Sequence, residues 1–174
     1  MISPREYNCA SNDNEIYGEM DNIDFIYILK ECPYTIFKMI DVGSGCGKGL
    51  IYLCNSEIGS DLEYVCGIEC NEYRYNKSKS LLCKQNSELL HKLEFICDDF
   101  NHISFATFDL VYCCNIMFDT DLNNKLIDKL LRENIRIFIL YTIEPRCSHL
   151  FWKRIFVKTS WLSSVPVYIY CRDY

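Results

Sequence analysis

The sequence predicts an α/β fold: a mostly parallel seven-stranded sheet with helices on both faces and a C-terminal antiparallel hairpin. Three observations carry this. Short apolar runs alternate with helix-length stretches through residues 36–141, the pattern of a parallel sheet whose crossovers cover both faces. The first run ends in Gly43, Gly45 and Gly47, a glycine turn of the kind that opens the first crossover in such sheets. The last two runs are separated only by Trp161-Leu162-Ser163-Ser164, too short for a helical crossover, so they pair antiparallel.

Taken in order, residues 1–15 are polar and rich in Asn, Asp and Ser, and read as a flexible lead-in to a single domain over 16–174. Asp21-Asn22 caps a short helix to about Lys30, closed by Pro33. Residues 36–42 form the first strand, and a helix runs from Gly47 to about Glu57. Residues 64–69 form the second strand, followed by a long helix from Asn71 to His91 with Asn71 as its cap. Residues 93–97, 109–114 and 135–141 are three more strands, with a helix over 121–132 between the last two. The hairpin pairs 155–160 with 165–171. No repeat or interdomain linker interrupts the pattern.

The 174 residues are 49% apolar and 14% aromatic, enough to build one core. No apolar run reaches the roughly 18 residues needed to cross a bilayer, and the first residues lack the layout of a secretory signal. A soluble, intracellular protein of the nucleus or cytoplasm is expected. The twelve cysteines lack Cys-x-x-Cys spacing, and the three histidines lack His-x-x-x-His, so no metal is expected and the thiols read as reduced, small hydrophobes. A formal charge of −6 speaks against strong intrinsic nucleic-acid binding and suits a basic or small substrate.

Three readings compete for the glycine loop Asp41-Val42-Gly43-Ser44-Gly45-Cys46-Gly47. A Walker phosphate loop fails at two positions, because Val42 stands where its first glycine belongs and Gly49 where its hydroxyl residue belongs. A nicotinamide fingerprint fails as well: its third glycine would be Lys48 or Leu50. There remains the Asp-x-Gly-x-Gly-x-Gly loop of class I, Rossmann-like methyltransferases, where missing side chains let backbone approach a phosphate-free cofactor, S-adenosyl-L-methionine. Glu69, closing the next strand, offers two acceptor oxygens to ribose hydroxyls. After the third strand, Asp99 can accept from the adenine amine while Phe100 packs on the ring. A plain tight turn, a capping Asp and a core Phe are the plainer alternatives.

Several separated segments resemble one family, the non-SET histone lysine methyltransferases of the disruptor-of-telomeric-silencing type. Ile16-Tyr17-Gly18-Glu19 is similar to that family's Tyr-Gly-Glu motif, Asp41 to Gly47 to its glycine loop, Gly67-Ile68-Glu69 to its Gly-Val-Glu, and Asp99-Phe100 to its Asp-Phe. Cys114-Asn115-Ile116-Met117-Phe118, with Leu122 and Leu126, resembles its Asn-Asn-Phe-Ala-Phe stretch, with Cys114 in place of the first asparagine. Thr159-Ser160-Trp161, Pro166, Tyr168 and Tyr170 resemble its Ser-Trp and aromatic tail. The resemblance implies that Tyr17 and Glu19 hold the methionine end of the cofactor, that Asn115 lines the point where donor and acceptor meet, and that Tyr168 or Tyr170 faces a lysine channel. The basic flanking segment with which that family holds nucleosomal DNA is not among these residues.

In-line methyl transfer chiefly needs alignment and exclusion of water. For a lysine acceptor an apolar, aromatic wall favours the neutral amine, and Phe118, Trp161, Tyr168 and Tyr170 are the candidates for it. Asn115 could orient the amine, or it could cap the following helix. A protein substrate with an accessible lysine, a histone among the candidates, is therefore expected, with a partner subunit as a further expectation. An RNA or small-molecule acceptor on the same core and a non-catalytic subunit are the alternatives.

Overall fold

The structure, a computed structural model, describes residues 22–160 and 162–172. Seven strands form one sheet in the order β3-β2-β1-β4-β5-β7-β6. They are β1 (Lys38–Val42), β2 (Tyr64–Ile68), β3 (Leu93–Ile96), β4 (Leu110–Cys113), β5 (Ile137–Leu140), β6 (Phe151–Val157) and β7 (Val165–Cys171). The first five run parallel to one another, and β7 lies antiparallel between β5 and β6. The five parallel strands stop a residue or two short of the apolar runs, because the flanking backbone turns to other partners. Ahead of β1, for example, the N–H groups of Phe37 and Lys38 both donate to Asp109 Oδ2, at 2.9 and 2.8 Å.

The helices are α1 (Asn22–Lys30), α2 (Lys48–Cys54), α3 (Glu72–Leu82), α4 (Ser87–Lys92) and α5 (Thr120–Arg132). The long helix expected over 71–91 is two helices. Asn71 caps α3 as expected, accepting from Arg74 N, but Asn86 starts α4 by accepting from Leu89 N at 2.9 Å. Asp119 caps α5 by accepting from Leu122 N at 2.8 Å, so Asn115 is not that helix's cap.

Two cores flank the sheet. On one face, Phe25 of α1, Leu50 and Leu53 of α2, Leu82 of α3 and Leu89 of α4 are buried with Met39, Val65 and Ile139. On the other, Leu126, Ile127 and Leu130 of α5 are buried with Ile40, Val111 and Phe138. At α5, Lys129 is buried beside Glu133 and lies 4.8 Å over the ring of Phe105.

β6 begins at Phe151, four residues before the expected start, and it ends at Val157. His149 and Leu150 close a 3₁₀ turn (Pro145–Leu150), and Phe151 to Arg154 make the first half of the strand. Trp152 Nε1 donates to Glu31 O at 3.3 Å and Lys153 pairs with the Glu31 carboxylate, tying β6 to the end of α1. The described cysteines are free thiols; Cys66 and Cys113 are buried, whereas Cys97 is exposed and Cys114 half-buried. Among the described residues no helix is long and apolar enough to cross a membrane.

Candidate functional site

In sheet order β1 sits between β2 and β4, so the chain winds outward to β3 and then returns to the other side of β1. Such a reversal leaves a crevice beyond the carboxyl ends of β1 and β4. The glycine loop lies there.

Gly43, Gly45 and Gly47 have φ of 85°, 58° and 74°, the left-handed region that side chains disfavour. Their reasons differ. A Cβ on Gly47 would lie 2.3 Å from Phe95 Cζ and 2.9 Å from Ser78 Cβ, so this glycine lets the start of α2 press against β3 and α3. A Cβ on Gly43 would meet nothing within 4 Å; its exposed backbone borders open space. Gly43 N and Ser44 N both donate to Ile68 O at 2.9 Å, tying the loop to the end of β2.

Glu69 completes the tie. Its side chain is buried, with Oε2 accepting from Gly45 N at 3.0 Å and Oε1 accepting from Asn71 N at 2.8 Å, with Arg74 Nη2 at 3.3 Å. The carboxylate expected to receive two ribose hydroxyls therefore spends most of its acceptor capacity joining the loop to the start of α3. Asp41, one strand over, is buried too. Burial first, and the Glu69 charge second, push its carboxyl up to about 8.

The acid and aromatic after β3 separate. Asp99 is exposed and caps a 3₁₀ turn, accepting from both nitrogens of Asn101 at 2.8 Å. Phe100 points into the second core, stacked against Phe118 at 6.4 Å and tilted on Phe105 at 6.5 Å. Its ring is a core element, so the expected ring face for adenine is not presented here.

Asn115 lies where β4 ends and is 2% exposed. Its Oδ1 accepts from Tyr141 N at 2.8 Å and Thr142 N at 3.2 Å. Its Nδ2 donates to Asn123 Oδ1 at 2.7 Å and Thr142 Oγ1 at 2.6 Å. Two donors and two acceptor sites are all in use, so Asn115 is a strut joining the ends of β4 and β5 to α5. It does not present its amide to an incoming amine.

Tyr170 likewise faces inward. It is 1% exposed, stacks on Phe138 at 4.9 Å, and its hydroxyl accepts from Glu144 N at 2.8 Å. Burial pushes its phenol up to about 12. Of the expected channel wall, Tyr168 and Phe118 are half-buried and Trp161 lies outside the described residues, as do Tyr17 and Glu19.

Sequence reasoning missed the apolar rim beyond β4 and β5. Ile116, Met117 and Ile143 are exposed at 37%, 56% and 65%, in the two loops that Asn115 joins. Apolar residues directly after a buried parallel strand were the available signal; Ile116 and Met117 read there only as motif residues. Among the described residues no group of three or more His, Cys, Asp or Glu is placed to hold a metal ion.

A family model described as a methyltransferase domain matches residues 40–138. No curated protein matches the chain in sequence. Solved structures share the fold. The methyltransferase domain of bacterial CtHen1 has a TM-score of 0.65 at 11% identity, over 86% of this chain and 96% of that one. An RNA methyltransferase from Salinibacter ruber, in complex with S-adenosyl-L-homocysteine, scores 0.63 at 13% identity, over 86% and 88%. Magnesium protoporphyrin IX methyltransferase from Synechocystis PCC 6803, with bound SAM, scores 0.58 at 16% identity, over 87% and 76%. Neither the family model nor any of these three structures is described as a histone lysine methyltransferase.

Proposed function

The chain belongs to the methyltransferase domain family, and from that premise we propose that it moves a methyl group from S-adenosyl-L-methionine to an acceptor entering over the ends of β4 and β5. The observation that carries this reading is the glycine loop: left-handed backbone, open at Gly43 and braced by Glu69 at the sheet's switch point. Bound there, S-adenosyl-L-methionine supplies a methyl group activated by a sulfonium.

The residues present fit that molecule. Gly43 leaves room for a ligand against bare backbone. Asp41 is a buried acid that feels the charge of Glu69, so a cation in the cleft would favour its ionised form. Glu69 keeps an acceptor site on Oε2 for one hydroxyl while it holds Gly45. Asp99 keeps Oδ2 for an exocyclic amine, Oδ1 being occupied by Asn101. Asn115 sets the spacing of the β4 and β5 loops, and Ile116, Met117 and Ile143 exclude water from the space between.

For the acceptor, a protein lysine is favoured by the resemblance of the 114–118 segment and the aromatic tail. Phe118 and Tyr168 are the described residues left to wall its side chain. The apolar rim would take the methylene stem, while Asp119 and Asp121 at the start of α5 suit a cationic approach. An RNA or small-molecule acceptor is the alternative. Incubation of the protein with methyl-labelled cofactor and, separately, core histones, nucleosomes and total RNA tests the choice. Label in a histone lysine supports the reading, and label in RNA alone refutes it.

A further inference from the structure

The sheet is unequally covered. On the face that carries α5, the helix lies over β1, β4 and β5. The connection from β5 to β6 is only residues 141–150 and forms a 3₁₀ turn instead of a crossover helix, so no described helix covers β6 and β7 on that face. Phe151 and Phe156 of β6 are left 48% and 56% exposed there, with Tyr168 and Pro166 of β7 half-buried beside them. Arg154 is exposed between the two phenylalanines, its guanidinium 5.4 Å from the Phe156 ring, and Lys158 follows exposed at the end of the strand.

The charge is uneven as well. In a chain of net charge −6, residues 145–172 hold five Lys or Arg and no Asp or Glu. Lys153 pairs with Glu31 on the opposite face, whereas Arg154 lies opposite Tyr168, on the face of the aromatics. Exposed rings on an open strand with cations between them are the elements of a single-strand binding surface: bases stack on the rings and the cations meet the phosphates. Large exposed aromatics are also not what a strand guarded only against edge-to-edge pairing would carry.

We propose that the uncovered face of β6 and β7 is a docking surface for single-stranded RNA. Phe151 and Phe156 stack bases about 13 Å apart along β6, because the register shift between Phe151 and Lys153 sets them opposite Tyr170 and Pro166, four residues apart at about 3.3 Å each. Arg154 and Lys158 carry the phosphate contacts. A protein partner would use the aromatic area too, but an acid-free strip with cations interleaved favours a polyanion with flat bases. The surface begins at β7, three strands beyond the strand that carries the glycine loop, so it stands whether or not the methyl-transfer reading does.

Fluorescence anisotropy of a labelled oligouridine of about 12 nucleotides, titrated with the full chain without cofactor at about 50 mM salt, tests this. The expected result is saturable binding that weakens with salt, with a log–log slope near −1.4 for about two phosphate contacts. Arg154→Glu and Phe156→Leu should each weaken binding about tenfold, while their circular dichroism and melting match the parent. Absence of binding at roughly 100 μM protein overturns the proposal. So does binding that neither substitution alters. An oligoglutamate peptide bound more tightly than the RNA would make the face a protein-docking surface, and self-association abolished by the same variants would make it a contact between copies; either outcome overturns it.

Discussion

Gly47→Ala and Gly43→Ala introduce the same methyl group into the same loop and should fail for different reasons. At Gly47 the new Cβ would sit 2.3 Å from Phe95 Cζ and 2.6 Å from Cε1, with φ held at 74°. Left-handed backbone costs an alanine about 1–2 kcal/mol, and forcing Phe95 to yield in a packed core costs about 1–3 kcal/mol more. The sum is about 2–5 kcal/mol, a large share of a typical domain's stability, and in a chain of this length corresponds to a melting-temperature loss on the order of 10 °C. Phe95→Leu added to Gly47→Ala relieves the collision but not the dihedral, so the double variant should be more stable than the two single losses sum to, by about 1–2 kcal/mol. At Gly43, φ is 85° but the space is open, so only the dihedral cost of about 1–2 kcal/mol applies. The methyl group would instead intrude on the cleft, and cofactor affinity should fall well beyond what stability explains. Urea melts of the four variants, paired with cofactor titrations, read both effects. The reasoning is refuted if Gly43→Ala destabilises more than Gly47→Ala, or if the Phe95 substitution shows no coupling.

Other substitutions follow from the same contacts. Glu69→Gln loses its charge-assisted tie to Arg74 and must turn its NH2 toward a backbone donor at Gly45 or Asn71; a loss of about 2–4 kcal/mol is expected in thermal melts, with weaker cofactor binding. Asn115→Ala orphans the N–H groups of Tyr141 and Thr142, which should cost about 2–4 kcal/mol and raise hydrogen exchange at both amides; parental exchange there would contradict the strut. For Asp41, the folded value of about 8 lies above its ordinary 3.8, so its contribution to stability is full below about pH 4 and is lost as the pH rises toward 8. If a cation binds beside it, cofactor affinity should rise between about pH 6 and 8 with proton release, and Asp41→Asn should flatten that rise. Calorimetry in buffers of different ionisation heat measures both.

The sheet was legible because period and punctuation agree: each buried parallel strand is a short apolar run, and three glycines mark the first turn. Helix boundaries were less so, since nothing in composition forbids continuing through Cys83 to Gln85, and only the capping geometry of Asn86 shows where α4 begins. At the site, motif positions located Gly43, Glu69 and Asn115 correctly in the fold but not the direction of their side chains. Asn115 and Tyr170 were assigned to the cleft from sequence position, whereas Tyr141 N, Thr142 N and Glu144 N, all from the chain leaving β5, draw them inward. Those partners lie 26 or 27 residues away, beyond the reach of local pattern. Whole-chain charge is equally blind to position: a net −6 includes a hairpin without a single acid between residues 145 and 172.

On the proposed function, the glycine loop at the end of β1 holds S-adenosyl-L-methionine. Isothermal titration of the full chain with this molecule tests it most directly. One-site saturable binding is expected, sharply weakened in Gly43→Ala although that variant stays folded. Absence of heat and of any melting shift at millimolar ligand, or binding that Gly43→Ala leaves unchanged, would contradict it.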